Sequence, residues 1–95
     1  MSVSKLLTQE DLELRYIDSI NTAVALNEEF EGFVVDVKPF QRITEEGEVR
    51  KWARAYLWDR RTATVGDIIW SASETSDWKL DIQLKNLGEL LEKLL

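Results

Sequence analysis

The spacing of hydrophobic residues along the chain changes near Phe30, and no other feature of the sequence constrains the fold as strongly. Before this point apolar residues recur every three or four positions, which is typical of an amphipathic helix. After it they alternate with polar residues in several successive segments, as they do on β-strands with one buried face. The change predicts an α+β protein in which helices pack against a sheet.

The first pattern predicts a long N-terminal helix over about residues 9–28. Thr8 precedes it, and its hydroxyl can accept the third backbone N–H of the helix as an N-cap. Acidic side chains follow in the first turn, where the helix dipole favours them. The apolar stripe of this helix contains Leu12, Tyr16, Ile17, Ile20, Ala23 and Val24.

The alternating segments predict an antiparallel meander of about four strands. Pro39 has no backbone N–H, so the first strand is expected at a sheet edge or with a bulge. Thr44–Glu48 contains a glycine and has the right length for a hairpin loop. In the third segment Gly66-Asp67 is either a break or the turn itself. The predicted strands are 33–38, Val49–Trp58, Thr62–Ser73 and Trp78–Leu84.

A short C-terminal helix completes the predicted order α-β-β-β-β-α, with the helices on one face of the sheet. Asn86 can cap it, and Glu89 occupies the capping-box position. Its leucine stripe is large for a terminal helix, so the helix covers either its own sheet or a second copy of the chain, and self-association as a homodimer is predicted from the second alternative. The predicted self-association residues are Leu87, Leu90, Leu91, Leu94 and Leu95, and residues 1–95 are expected to form one domain.

The 95 residues include no histidine and no cysteine. This removes the commonest general base, the thiolate nucleophile and the usual zinc ligands. Two groups of glutamates could supply acid–base or cation chemistry, but both lie at predicted element boundaries, where solvated carboxylates are ordinary. The sequence therefore predicts no enzyme, no metal and no cofactor. The two groups are Glu28, Glu29 and Glu31, and Glu45, Glu46 and Glu48.

The net charge of −6 is unevenly distributed, because residues 49–61 carry +4 between flanking segments of −7 and −3. An acidic body argues against broad coating of nucleic acid and favours a basic protein as partner. No apolar run approaches the roughly 20 residues of a membrane span. The sequence thus predicts a cytoplasmic protein with no membrane partner.

The second predicted strand has two different faces. Its odd positions are small and apolar in the middle, as a strand beneath a helix requires. Its even positions interleave aromatic rings with guanidinium groups, which are enriched at interface hot spots. These even positions, Arg50, Trp52, Arg54, Tyr56, Trp58 and Arg60, are the predicted partner-binding residues.

Three interpretations of the aromatic–arginine face remain open. In a purely structural one the arginines pair with carboxylates such as Asp36, Asp77 and Asp81. In the second, which is the leading hypothesis for function, the chain is a non-enzymatic protein-interaction module, such as a small regulator, inhibitor or adaptor. In the third the rings and arginines bind single-stranded nucleic acid. A carboxylate-based enzyme is less favoured than any of these.

Overall fold

The structure, a computed structural model, describes residues 6–60 and 68–94. Three strands form one antiparallel sheet in the order β1-β2-β3. The predicted α+β class is confirmed, whereas the predicted number of four strands is wrong. In chain order the elements are α1 (Gln9–Arg15), α2 (Ile17–Glu29), β1 (Phe33–Ile43), β2 (Val49–Asp59), β3 (Ile68–Glu74) and α3 (Asp77–Leu94).

Both longer helices pack on the same face of the sheet. α2 lies against β1, and α3 lies against β2 and β3. Ala53 and Ala55 are fully buried beneath them. Their small side chains allow the helices to approach the sheet closely, as the odd positions of β2 predicted. The buried core contains Leu12, Tyr16, Ala23, Leu26, Phe30, Val35, Val37, Ala53, Ala55, Leu57, Leu80, Leu84, Leu87 and Leu91.

The segment predicted as a fourth strand, Trp78–Leu84, is instead the first half of α3. Its alternating apolar residues are not equivalent, because Leu80 and Leu84 are buried while Trp78 and Ile82 are 61% and 50% exposed. Spacing of four residues places the buried pair on one helical stripe that continues into the predicted C-terminal helix. The predicted cap, Asn86, consequently lies inside a helix that begins at Asp77.

The predicted single N-terminal helix is interrupted at Tyr16, which separates α1 from α2. Tyr16 has φ −119° and ψ 29°, outside helical geometry. The interruption releases backbone N–H groups at the start of α2, and the carboxylate of Asp77 accepts from two of them. The predicted start of α1 is confirmed, since the Thr8 hydroxyl accepts the Asp11 backbone N–H at 3.1 Å.

α2 and α3 run parallel to each other. Polar contacts join their first turns, where the Ser19 hydroxyl donates to the Asp77 carboxylate at 2.6 Å. One turn further on, the Thr22 hydroxyl contacts the Asp81 carboxylate. Near their ends Gly88 lies so close to α2 that a Cβ atom would stand 2.9 Å from a methyl group of Leu26. A glycine thus permits a close approach of the two helices at this point.

β1 is an edge strand, as Pro39 predicted. The side-chain amide of Asn27 pairs with both backbone groups of Val35, with N···O distances of 2.8 and 2.6 Å. The outward-facing polar groups of an antiparallel edge recur every second residue, so Pro39 removes one N–H from the same row. These two features reduce the capacity of the β1 edge to pair with another strand.

The hairpin between β1 and β2 is confirmed at residues 44–48. Gly47 has φ +84°, a conformation that glycine adopts without steric cost. The backbone N–H of Thr44 donates to Glu48 at 2.8 Å, and Ile43 pairs with Val49. The third predicted strand, Thr62–Ser73, corresponds to β3; its first part, including Gly66-Asp67, lies outside the described residues.

Candidate partner-binding face

The even residues of β2 lie on the face of the sheet opposite the helices. Among the described elements, none packs over this face. Arg54 is exposed on it, while Trp52, Tyr56 and Trp58 are half-buried against their neighbours. We call this surface the open face; it consists of Val34, Asp36, Lys38, Phe40 and Arg42 of β1, Arg50, Trp52, Arg54, Tyr56 and Trp58 of β2, and Ile68, Ser71 and Ser73 of β3.

The register of the hairpin brings two strands of this face together. Phe40 lies opposite Trp52, and their rings stack with centroids 5.6 Å apart and planes 21° apart. Such offset aromatic pairs contribute about 0.5–1.5 kcal/mol beyond the area they bury. The stacked pair therefore fixes both rings near the middle of the open face.

Cations lie opposite cations on either side of this aromatic pair. Lys38 pairs in register with Arg54, and Arg42 pairs with Arg50. Like charges directly opposite each other on one face destabilise a sheet. Within residues 6–60 and 68–94, no carboxylate lies within ion-pair distance of any of the three arginines.

The carboxylates expected to pair with the arginines have other partners. Asp36 is 3.9 Å from Lys38 in an exposed ion pair, a contact worth little in water. Asp77 accepts hydrogen bonds from α2, and Asp81 contacts Thr22 and pairs with Lys85 at 3.0 Å. Neither Asp77 nor Asp81 belongs to the sheet, because their segment is a helix.

A shallow recess of about 380 Å³ lies at the hairpin end of the open face. Trp52 lines it together with four cationic side chains, and two hydroxyl-bearing residues, Ser73 and Thr75, complete its border. The four cationic residues are Arg42, Arg50, Lys51 and Arg54. The recess therefore combines an apolar wall with an excess of positive charge.

Charge is segregated between the open face and the rest of the chain. The open face carries four cations and one carboxylate, so its net charge is +3. Because the whole chain has a net charge of −6, the remainder carries −9. The candidate surface is thus a basic aromatic patch on an acidic protein.

The β2 half of the open face contains five of the six residues predicted from the sequence, whereas none of the β1 residues of this face was predicted. Lys38, Phe40 and Arg42 complete the cation and aromatic pairs. The predicted hairpin contained the necessary signal, because pairing Ile43 with Val49 across the loop would have placed them in register. Arg60, the last predicted binding residue, follows the end of β2, and its backbone N–H donates to Gly32 at 2.9 Å.

The predicted self-association residues divide into two groups. Leu87 and Leu91 are buried in the core beneath α3. Leu90 and Leu94 are 51% and 69% exposed, and Leu95 lies outside the described residues. Of the predicted self-association residues that the structure describes, Leu90 and Leu94 are therefore the ones available for a contact between copies.

Carboxylates do not converge on a cation site in the part of the chain that the structure describes, where no group of three or more potential ligands could hold a metal ion. Glu28, Glu29 and Glu31 border a recess of about 480 Å³ between the end of α2 and the start of β1. All three are exposed to solvent.

Comparison with known proteins gives no match to a family model, to a curated sequence or to a solved structure. None of the described helices is both long enough and apolar enough to span a bilayer.

Proposed function

We propose that the chain is a non-enzymatic protein-interaction module that binds its partner through the open face. The observation that carries this proposal is the position of the aromatic–arginine row of β2 on the side of the sheet that the described helices leave uncovered. Interface hot spots are enriched in Trp, Tyr and Arg, which combine large contact area with directed hydrogen bonds. The absence of histidine and cysteine from the sequence supports binding over catalysis.

Several biological roles fit such a module. A small regulator, an inhibitor or an adaptor each requires one stable domain that presents one recognition surface. In all three roles the helical layer would serve to hold the sheet rigid, so that little side-chain freedom is lost on binding.

Single-stranded nucleic-acid binding is the second candidate, because aromatic rings and cations share the open face. Bases can stack on such rings while phosphates contact the cations. The net charge of −6 opposes this alternative, since a nucleic acid that extends past the face approaches acidic surface.

The decisive experiment compares charge reversal on the two faces of the protein. Tagged wild type, Arg54→Glu and Lys79→Glu would capture proteins from a lysate of the native host, with quantification by mass spectrometry. Lys79 is an exposed residue of α3, so its reversal gives the same charge change on the helical side. We expect a captured protein that is retained by Lys79→Glu and lost with Arg54→Glu.

Purified components would then establish that the contact is direct. The captured protein should bind wild type in solution, and Arg54→Glu should retain its circular dichroism spectrum and melting temperature. Capture that is equal for all three proteins would contradict the proposal. Binding of a labelled oligothymidylate with a steep salt dependence would support the nucleic-acid candidate instead.

A further inference from the structure

The open face holds two pairs of like charges, and among these four cations only Lys38 has a carboxylate within ion-pair distance in the described residues, Asp36 at 3.9 Å. Lys38 faces Arg54 and Arg42 faces Arg50 across the same two strands. Side chains directly opposite in an antiparallel pair have Cβ atoms about 5 Å apart, so both pairs are repulsive in the unbound protein. Such violations of local stability are expected at functional sites.

The two cation pairs have a defined spacing. Each is two residues from the Phe40–Trp52 stack, so four residues separate the pairs along either strand. At about 3.3 Å per residue this separation is about 13 Å. A complementary surface would place anions at both ends of this interval and an apolar side chain between them.

We infer that the open face binds an acidic surface of a protein partner, with carboxylates about 13 Å apart on either side of an apolar contact to the Phe40–Trp52 stack. This inference rests on the proposed function. A carboxylate between paired cations removes their repulsion and accepts charge-assisted hydrogen bonds, and arginine can donate two in parallel. It also replaces the expectation of a basic partner, which followed from net charge alone.

The borders of the basic patch favour a carboxylate partner over a nucleic acid. Asp36 lies beyond Lys38 at one end, and Glu45 and Glu46 lie at the hairpin end, where they line a second recess with Arg42 and Arg50. Single-stranded nucleic acid requires a positive groove that continues along the backbone for several phosphates. The short patch between acidic borders instead matches a compact acidic motif.

Fluorescence anisotropy with three labelled probes would test this inference on the full chain. The first is a peptide containing Asp-Ser-Leu-Ser-Asp in tandem, which in an extended conformation spaces carboxylates about 13 Å apart around a leucine. The second has lysine in place of each aspartate, and the third is a twelve-nucleotide oligothymidylate. We expect binding of the aspartate peptide only, weakened about tenfold or more by Arg50→Glu or Arg54→Glu.

Matched variants separate recognition from folding. Lys79→Glu should bind the aspartate peptide within about twofold of wild type, since Lys79 lies on the helical side. Arg50→Glu and Arg54→Glu each convert a repulsive pair into an attractive one, so both should melt at or above the wild-type temperature. Arg54→Gln offers a neutral replacement with the same expected loss of binding.

Several outcomes would overturn the inference: tighter binding of the oligothymidylate, equal binding of the aspartate and lysine peptides, no binding of either peptide, or lowered melting temperatures in both reversal variants. If face-dependent capture from lysate persists while the aspartate peptide fails to bind, the proposed function stands and only the partner chemistry is wrong. If capture is independent of the face, the proposed function fails as well.

Discussion

Asp77 stabilises a helix that lies 58 residues away in sequence. Its carboxylate accepts the backbone N–H groups of Asp18 and Ser19 at 3.1 and 2.9 Å, so it occupies the position of an N-cap for α2. Tyr16, the residue that precedes α2, makes no side-chain capping hydrogen bond. The buried hydroxyl of Ser19 also depends on Asp77, through both its carboxylate and its backbone carbonyl.

Replacement of this carboxylate should be costly. We expect Asp77→Ala to lower the free energy of unfolding by about 2 kcal/mol, because it removes a helix cap and one partner of a buried hydroxyl. Asp77→Asn should lose less, since it retains an oxygen acceptor. Urea titration measures both, and Glu89→Ala at an exposed position of α3 is the control. A loss below about 0.5 kcal/mol for Asp77→Ala would contradict the capping role.

Tyr16 should give the protein an alkaline dependence of stability. Its hydroxyl donates to the Thr75 carbonyl at 3.0 Å, and burial raises the pKa of the phenol above its ordinary value of 10.0. The folded state therefore retains a proton that the unfolded state loses above about pH 10. Because the unfolded state then binds fewer protons, the free energy of unfolding falls as pH rises.

The variant Tyr16→Phe isolates this contribution. At about pH 8 it should be less stable than wild type by about 1 kcal/mol, because the Thr75 carbonyl loses its donor. Between about pH 8 and about pH 11 its stability should fall less steeply, since the ring no longer ionises. Urea titrations across this range test both statements. Parallel declines for the two proteins would show that Tyr16 does not contribute.

At the scale of elements, the apolar residues at the start of α3 fit both the two-residue spacing of a strand and the three-to-four-residue spacing of a helix. Trp78, Leu80, Ile82 and Leu84 alternate with polar residues, which is a strand pattern. Leu80 and Leu84 also begin the helical series that continues to Leu87 and Leu91, and all four of these leucines are buried. A single helix places all four leucines on one stripe, and this stripe faces the core.

A helix and a strand at this segment predict different effects of alanine substitution at Leu84 and Ile82. Leu84→Ala should lower the free energy of unfolding by about 2–5 kcal/mol, because it opens a cavity in the core. Ile82→Ala should change it by no more than about 0.5 kcal/mol, because Ile82 is half-exposed and alanine favours the helix. Thermal or urea unfolding measures both. Similar losses at the two positions would indicate a strand with both residues on one buried face.

At the scale of the whole molecule, the helical layer leaves apolar side chains in solvent near the end of α3. Leu90 and Leu94 are more than half exposed, and Leu90 borders a small recess with Trp70 of β3. Copies that pair through this region would bury these leucines across a two-fold axis. The homodimer predicted from the leucine stripe is therefore proposed for this exposed pair alone.

We expect the wild type to sediment as a dimer at micromolar concentration and a Leu90→Lys, Leu94→Lys variant to sediment as a monomer. Both substitutions lie outside the core, so the fold should persist, whereas truncation before Leu87 would remove core residues. Leu14→Lys, at an exposed position of α1, is the control. A monomeric wild type, or a dimer unaffected by the double substitution, would exclude this interface.

Several features of the fold depend on residues that are close together in the chain, so they can be predicted from the sequence. The Thr8 cap, the hairpin loop with Gly47, the edge position implied by Pro39 and the two-faced pattern of β2 all follow from short-range chemistry. The β2 half of the candidate site was predictable for the same reason, because alternation alone separates its faces. Its β1 half required the strand register in addition.

The sequence by itself determined the α+β class, the β1–β2 hairpin and the residues that share a face of β2, since each depends on neighbours a few positions apart. Only the tertiary structure decided that the segment from Asp77 is a helix, that the first helix breaks at Tyr16 and that cations oppose cations on the open face. The physical reason is common to all three. Where local patterns permit two solutions, the choice depends on burial and hydrogen bonds with residues far away in the chain, such as those that join Asp77 to α2.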